Sequence, residues 1–490
     1  MITHANTLIA NGDIEQAITF LDSHFASNEL DHEACLLLGK LLFEQQQVPE
    51  SVTVFKAVSA TLPDRVDVLF ALAQSQFLAG YHASQTFQNI ISLAPEHRQA
   101  WHGYALAVAS EGNSEQAEKF LCSQLNTYSD WADGHKLLST LRYLRGDHDS
   151  FLVTYQDAIK QHPGHIALNQ NYFNLLLQNK QWDDARSFID QLERDNTFPE
   201  FSAIAKVIIA TETEQTKSIS TLIQATQNID DTALDLALVR YHIKNGDLHR
   251  AESIAMQRVA KSSALVFIPY LSLIWRVTKS PYYTWLEHND GLIKSLPVGL
   301  SSNEIDELKQ ELNKLHTSKS PFIEQSVRGG TQTDQHLFLR HEPIFRTLRD
   351  KLKRVVKDYV STLPAGDATH PLLGKPRAAT LQEQVKFSGS WSVKLGAQGH
   401  NVSHTHPKGW ISSALHLQLP DFDNEQQSDA GYIQFGTPPP ELKLNLKPTL
   451  QLKPKVGNVV LFPSTAWHST VPFDDGERLV VAFDVQAPRV

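Results

Sequence analysis

Three histidines fall within seven positions in "HNVSHTHPKGW", residues 400 to 410: His400, His404 and His406. A neutral imidazole offers a nitrogen to a metal ion. In an extended segment, residues two apart project to the same side, so His404 and His406 are placed to share one ion. Sixty-two residues after His406, "FPSTAWHSTVPFDDGERLVVAFDV" carries His468 and then Arg478, on either side of a "DDGE" turn. If that stretch is a hairpin, a metal held by His468 and an anion held by the Arg478 guanidinium are close neighbours. The chain has 22 histidines, so a lone one carries little weight, whereas these residues in this order and strand context carry more.

The elements that must position them are short. After about residue 376, "VKFSGSWSVKL", "WISSALHLQL", "GYIQFG", "LQLKPKVGNVVLFP" and "RLVVAFDVQ" alternate apolar and polar residues over strand-like lengths between turn signals. Strands of this length predict an all-β sandwich, barrel or jelly roll, and a jelly roll makes a cup lined by alternate side chains. Trp391 and Lys394, of opposite parity, are expected on opposite faces. Asp474, Asp475 and Glu477 read as turn residues. In "SVRGGTQTD", Gly329 and Gly330 permit a tight loop that places Arg328, Thr331 and Gln332 against the helical segment 341–363 or at the rim of the cup. The stretches 362–380 and "DFDNEQQSDA" (421–430) read as loops covering that rim.

The first part of the chain is periodic. Turn-like positions at Gly12, Gln46, Gly80, Gly112, Gly146, Lys180 and Gly246 recur at intervals of 34, 34, 32, 34, 34 and 66 residues, the last interval hiding one turn near Thr213. Small residues follow in "GDIEQAITFL", "GNSEQAEKFL", "KQWDDARSFI" and "GDLHRAESIA", where two helices must approach closely. Pro63, Pro95 and Pro163, with Ser129 in the equivalent slot, mark the ends of second helices. Trp101, Tyr104, Trp131 and Tyr143 read as packing residues at helical spacing rather than ligand contacts. Segment 261–320 reads as further helices that cap the array, with Ser302 or Asn303 as an N-cap.

These motifs resemble the tetratricopeptide repeat, a helix-turn-helix of about 34 residues. That resemblance covers roughly residues 5 to 260 and implies stacked hairpins forming a superhelix whose concave face binds a protein or peptide. The stretches "QSVRGGTQTDQHLF", "HTHPKGWISSALHLQLP", "GYIQFGTPP" and the segment around His468 and Arg478 are similar to the 2-oxoglutarate/Fe(II) oxygenase family often found behind such repeats. This second resemblance covers about residues 320 to 488. It implies a double-stranded β-helix with flanking helices, and a hydroxylase using Fe(II), 2-oxoglutarate and O2. It also implies His404, His406 and His468 as metal ligands and Arg478 as the anchor of the far 2-oxoglutarate carboxylate. The family's usual second ligand is a carboxylate, and His406 stands in that place, with His400 the reserve ligand. Val480 stands where many relatives carry a hydroxyl, and Ser469 and Thr470 are the candidate substitutes.

The expected organisation is a multidomain chain: repeats over 1–260, capping helices over 261–320 and the jelly roll over 321–490. Two readings of other classes stay open: an interaction scaffold with an inert jelly roll, and a cupin-like three-histidine metal enzyme that does not use 2-oxoglutarate. A formal net charge of −10 disfavours a broad nucleic-acid face. The two cysteines, Cys35 and Cys122, support neither a disulfide framework nor a thiolate metal site. No apolar run reaches a membrane-spanning length, and the first residues lack the pattern of a secretory signal, so the cytoplasm is the expected compartment.

Overall fold

The computed structural model describes residues 1–26, 31–213, 219–262, 265–287, 291–321, 325–375, 385–420 and 429–488. The turns expected from the period are the places where the backbone turns left-handed. Gly12, Gln46, Gly80, Gly112, Gly146, Lys180 and Gly246 all have φ between 56° and 92°. Glycine reaches that region without a Cβ penalty, and five of these seven positions use it. Near the hidden turn, a helix Pro199–Glu212 ends at Thr213, and residues 214–218 lie outside the described residues. The small residues of the four motifs, Ala17, Ala117, Ala185 and Ala251, are completely buried, as close helix approach requires. Helices end at Thr61, Leu93 and Gln161, two residues before Pro63, Pro95 and Pro163, because the residue preceding a proline is pushed out of helical geometry.

The chain forms two compact units. One comprises Met1–Arg142, Asp147–Phe151 and Asp334–Asp350; the other comprises Tyr143–Gly146, Leu152–Thr333 and Lys351–Val490. In the first unit, Trp101, Tyr104 and Trp131 are buried with Ala117, Leu121 and Leu138 in one core, which is the packing role expected of them. Tyr143, in the second unit, is half-buried. The segment 334–350 closes over the early helices: Leu339 packs on Val48, Phe55 and Leu72, and the His341 backbone N–H donates to the Ala79 carbonyl at 2.9 Å.

The second unit carries further repeat helices and the β domain. Its strands are β1 (Lys294–Pro297), β2 (Val327–Gln332), β3 (Phe387–Asn401), β4 (Ile411–Gln418), β5 (Ile433–Phe435), β6 (Leu450–Leu452), β7 (Asn458–Pro463), β8 (His468–Thr470) and β9 (Arg478–Val485). They form an antiparallel sheet in the order β1-β7-β4-β9-β3-β2 and a three-stranded sheet in the order β6-β5-β8. Apolar residues of both sheets, among them Ile433, Phe435, Val460 and Phe462, make a shared core. Repeat-side helices dock on this domain: Trp467 donates its indole N–H to the Pro269 carbonyl at 2.8 Å, and Arg276 donates to the Gly436 carbonyl at 2.8 Å.

Four local expectations need correction. Lys294–Pro297, within the segment read as all helical, is an edge strand on β7. "SVRGGTQTD" is a strand rather than a loop: β2 pairs with β3 through a bulge at Arg328/Gly330, and a Cβ at Gly330 would lie 2.2 Å from the Lys394 carbonyl oxygen. The N-cap of helix Ser302–Leu315 is Ser301, one residue earlier than expected, because the S-x-x-E spacing to Glu304 lets each side chain bond the other's backbone N–H. His468 and Arg478 do not flank a hairpin. β8 pairs with β5 and β9 pairs with β3 and β4, so the "DDGE" turn crosses from one sheet to the other.

Candidate metal centre

Between the two sheets the three imidazoles converge. His404 lies in the irregular segment before β4 and His468 opens β8; a bridge joins them, with backbone N–H donation each way at 3.0 and 3.1 Å. His406, two residues on, donates its own backbone N–H to the Ser464 carbonyl at 2.8 Å. One ligand atom from each of the three rings lies within 4.8 Å of the others, a spacing that one metal ion can bridge. Among the described residues, His404, His406 and His468 are the group brought together in this way; His400, the reserve candidate, lies on β3 with Nδ1 near the Gln398 carbonyl.

Each ring is oriented by its Nδ1. That atom meets the Val402 carbonyl at 2.8 Å in His404 and the Ala466 carbonyl at 3.0 Å in His468, and in His406 it meets both oxygens of Asp484 at 3.0 Å. Nδ1–H donation fixes the tautomer and leaves the Nε2 lone pair as the one a metal could take. Burial, and then the neighbouring His406, push the His404 imidazole down to about 3, and burial drives His468 well below the ordinary range. Both rings are therefore neutral donors at physiological pH. Ser326 Oγ stands 3.2 Å from His404 Nε2.

Arg478 is 2% exposed and has no carboxylate partner among the described residues. Its Nη1 donates to the Gly431 carbonyl at 3.0 Å and its Nη2 to His416 Nε2 at 2.9 Å, while Nε has no partner among the described residues. Burial pulls its pKa down to about 10, still leaving it a cation at neutral pH. Burial and the Arg478 charge hold His416 well below its usual range, so His416 is a neutral acceptor that steadies the guanidinium.

The rings and Arg478 share one cavity of about 830 Å³. Val393, Leu395, Ile433, Phe462, Val480 and Ala482 give it apolar walls. Gln178 and Arg240, from the helices Ile166–Gln178 and Thr232–Lys244, contribute another part of the lining, as do Arg328 and Gln332 of β2. No acidic side chain is among the described lining residues. Trp391 lines the cavity, its ring centroid 5.6 Å from that of His406, whereas Lys394 on the opposite face pairs with Glu477 at 3.2 Å. Val480 and Thr470 both line the cavity, and Ser469 takes the other face of β8. Thr331 bonds His316 at 2.8 Å. Of the two loops expected at the rim, residues 362–375 line none of the cavity, residues 376–380 and 421–428 lie outside the described residues, and Asp429 and Ala430 do not line it.

Sequence reasoning missed two residues. His416 stands in the strand "WISSALHLQL" at a position that alternation makes interior, and a histidine there signals a polar partner. Asp484 stands in "RLVVAFDVQ", a carboxylate inside an apolar strand, which is costly unless bonded.

With this geometry in place, residues 389–484 match the family model described as "Putative 2OG-Fe(II) oxygenase", and residues 2–65 and 144–207 match two tetratricopeptide-repeat models. The chain thus carries tetratricopeptide repeats followed by an antiparallel β domain of that oxygenase type. No curated protein matches it. Among solved structures, the viral collagen prolyl hydroxylase vCPH from Paramecium Bursaria Chlorella virus-1, in a 2OG complex, is 16% identical, with 41% of this chain and 98% of that chain covered and a TM-score of 0.27. HygX from Streptomyces hygroscopicus, with nickel and 2-oxoglutarate bound, is 14% identical, with 42% and 87% covered and a TM-score of 0.28. A tetratricopeptide repeat protein from Parabacteroides merdae is 15% identical, with 48% and 97% covered and a TM-score of 0.31. No helix among the described residues is long and apolar enough to cross a membrane.

Proposed function

We propose that this chain is an Fe(II)/2-oxoglutarate-dependent dioxygenase, a hydroxylase, acting in the cytoplasm on a protein or peptide that the repeats recruit. The observation that carries the reading is the pairing, in one cavity, of a three-imidazole cluster with a buried guanidinium that has no anionic partner among the described residues. A buried cation without a counter-ion is costly, and a dicarboxylate ligand is what would balance it.

The residues fit the group. Three imidazoles with Nε2 converging suit a divalent first-row metal and leave positions open for small ligands. Fe(II), when bound, supplies those open positions and the oxidising chemistry with O2. Everything else falls to the chain. Arg478 takes the far carboxylate of 2-oxoglutarate by charge-assisted hydrogen bonds, and its Nε and the edges not used by Gly431 and His416 are the donors available. Ile433, Phe462 and Val480 line the cavity, exclude water and raise the strength of each charge contact. Thr470, whose Oγ1 accepts the Asn401 backbone N–H at 2.9 Å, retains an O–H to donate in place of the hydroxyl that Val480 lacks.

Arg478 favours this reading over a cupin-like enzyme, which has no use for a buried anion anchor. Gln178 and Arg240 support the link between repeats and site, since a substrate entering the cavity meets side chains of the repeat helices.

The test is an anaerobic titration with Fe(II) and 2-oxoglutarate, following the visible charge-transfer band of keto-acid chelation in wild type, His404→Ala and Arg478→Ala. A band in wild type that both variants lose or weaken is the expected result. Metal uptake with no band would favour the cupin-like reading, and neither metal nor band would favour the scaffold.

A further inference from the structure

The three imidazoles are not held alike. His404 and His468 lean on backbone carbonyls two residues back, whereas His406 leans on a carboxylate 78 residues away. Asp484 accepts from Ser412 Oγ at 2.5 Å, and Ser412 Oγ in turn lies 2.9 Å from Ser464 Oγ. The Ser464 carbonyl takes the backbone N–H of His406, closing a ring of contacts around that one ligand. Gly409 leaves room for it: a Cβ there would lie 2.6 Å from Ser464 Oγ and 3.3 Å from Asp484 Cβ.

Electrostatics sharpen the asymmetry. Asp484 is 15% exposed and has no lysine or arginine partner among the described residues; its one ion-pair contact is His406. The carboxylate is held by an imidazole Nδ1 and a hydroxyl, so its negative charge sits directly behind the ring. His406 is the one candidate ligand of the three with a carboxylate behind it.

We propose that Asp484 is a positioning residue that brings negative charge to the metal site through His406. It fixes His406 with Nε2 toward His404 and His468, and through the Nδ1–H bond it makes that imidazole a stronger, more negative donor to the bound cation. This rests on the metal reading of the site proposed above. It predicts that the charge of Asp484, and not only its shape, sets metal affinity.

The experiment uses the full chain, metal-stripped, with Mn(II) as probe and free Mn(II) followed by electron paramagnetic resonance under nitrogen. Wild type, Asp484→Asn and the double variant His406→Asp/Asp484→Asn are compared, each with a thermal melt of the metal-free protein. Asparagine keeps the shape and one acceptor but removes the charge. The expected result is binding about 10–100-fold weaker in Asp484→Asn, with an unchanged or raised melting temperature, and recovery of most of the loss in the double variant, where the carboxylate meets the ion directly. Affinity in Asp484→Asn within threefold of wild type would overturn the proposal. So would a loss that the double variant leaves unrepaired, since that assigns Asp484 to packing alone. Wild type that binds no Mn(II) is a separate outcome: the metal reading itself would fall, and this inference with it.

Discussion

His404 and His468 donate backbone hydrogen bonds to each other's carbonyls and hold their ring centroids 4.1 Å apart. Two of the three candidate ligands are therefore registered by main-chain pairing, independently of their side chains. Truncating a ring leaves that bridge intact. His468→Ala is expected to keep its circular dichroism spectrum while losing more metal affinity than the roughly 10–100-fold of an outer-shell change. Equal affinity for Mn(II) in wild type and variant would remove His468 from the site.

Arg478 separates affinity from stability. Among the described residues it is a buried charge bonded to neutral acceptors, so Arg478→Met should leave the metal-free protein as stable as wild type or more so. The same variant should weaken 2-oxoglutarate binding by about 2–5 kcal/mol, the usual cost of losing one partner of a buried charge pair, and leave Mn(II) binding in place. Calorimetric titration of the Mn(II)-loaded protein with 2-oxoglutarate, beside a thermal melt, reads both. Unchanged keto-acid affinity would refute the anchor role.

What was legible in the sequence follows period and parity. Gln46 and Lys180 take left-handed turns without being glycine, and they were placed because the 34-residue register demanded a turn there. Trp391 and Lys394 separated to opposite faces as strand alternation requires. Partnerships across sheets were not legible. Asp484 and His406 are 78 residues apart, and nothing local in "AFDVQ" says which ring its carboxylate will meet. The hairpin expected around "DDGE" failed for the same reason: turn chemistry specifies a reversal, but the three-residue β8 found its partner in β5, a choice made by the core and not by the turn.

His316 gives a pH signature apart from the metal cluster. It sits between the Thr331 and Ser392 hydroxyls at 2.8 and 3.0 Å, and burial, then Lys394, pushes its pKa down to about 4. The unfolded ring protonates near its ordinary 6.5, so between those values the unfolded state binds the extra proton. Stability from this group is present above pH 6.5 and is lost as pH falls toward 4, by up to about 1.4 kcal/mol per unit. In denaturant titrations across that window, His316→Gln should show a shallower fall than wild type. An identical slope would mean that the folded ring protonates normally.

The repeat helices reach the cavity through Gln178 and Arg240. Arg240 is already engaged, with Glu212 at 2.7 Å and Tyr270 at 3.1 Å, so changing it would disturb the helices as well as the cavity. Gln178, which ends its helix on the cavity wall, is the second probe. Because it lines the cavity, while the metal cluster and Arg478 come from the β domain, Gln178→Ala should leave Fe(II)-dependent conversion of 2-oxoglutarate to succinate unchanged when no substrate is added. With a substrate found among the proteins the repeats retain, its KM should rise roughly 2–12-fold, the span of one lost hydrogen bond, at nearly constant kcat. If substrate-free turnover fell by the same factor, Gln178 would be supporting the fold of the site rather than meeting the substrate. A substrate-selective change would make the repeat array part of the active site instead of a tether for it.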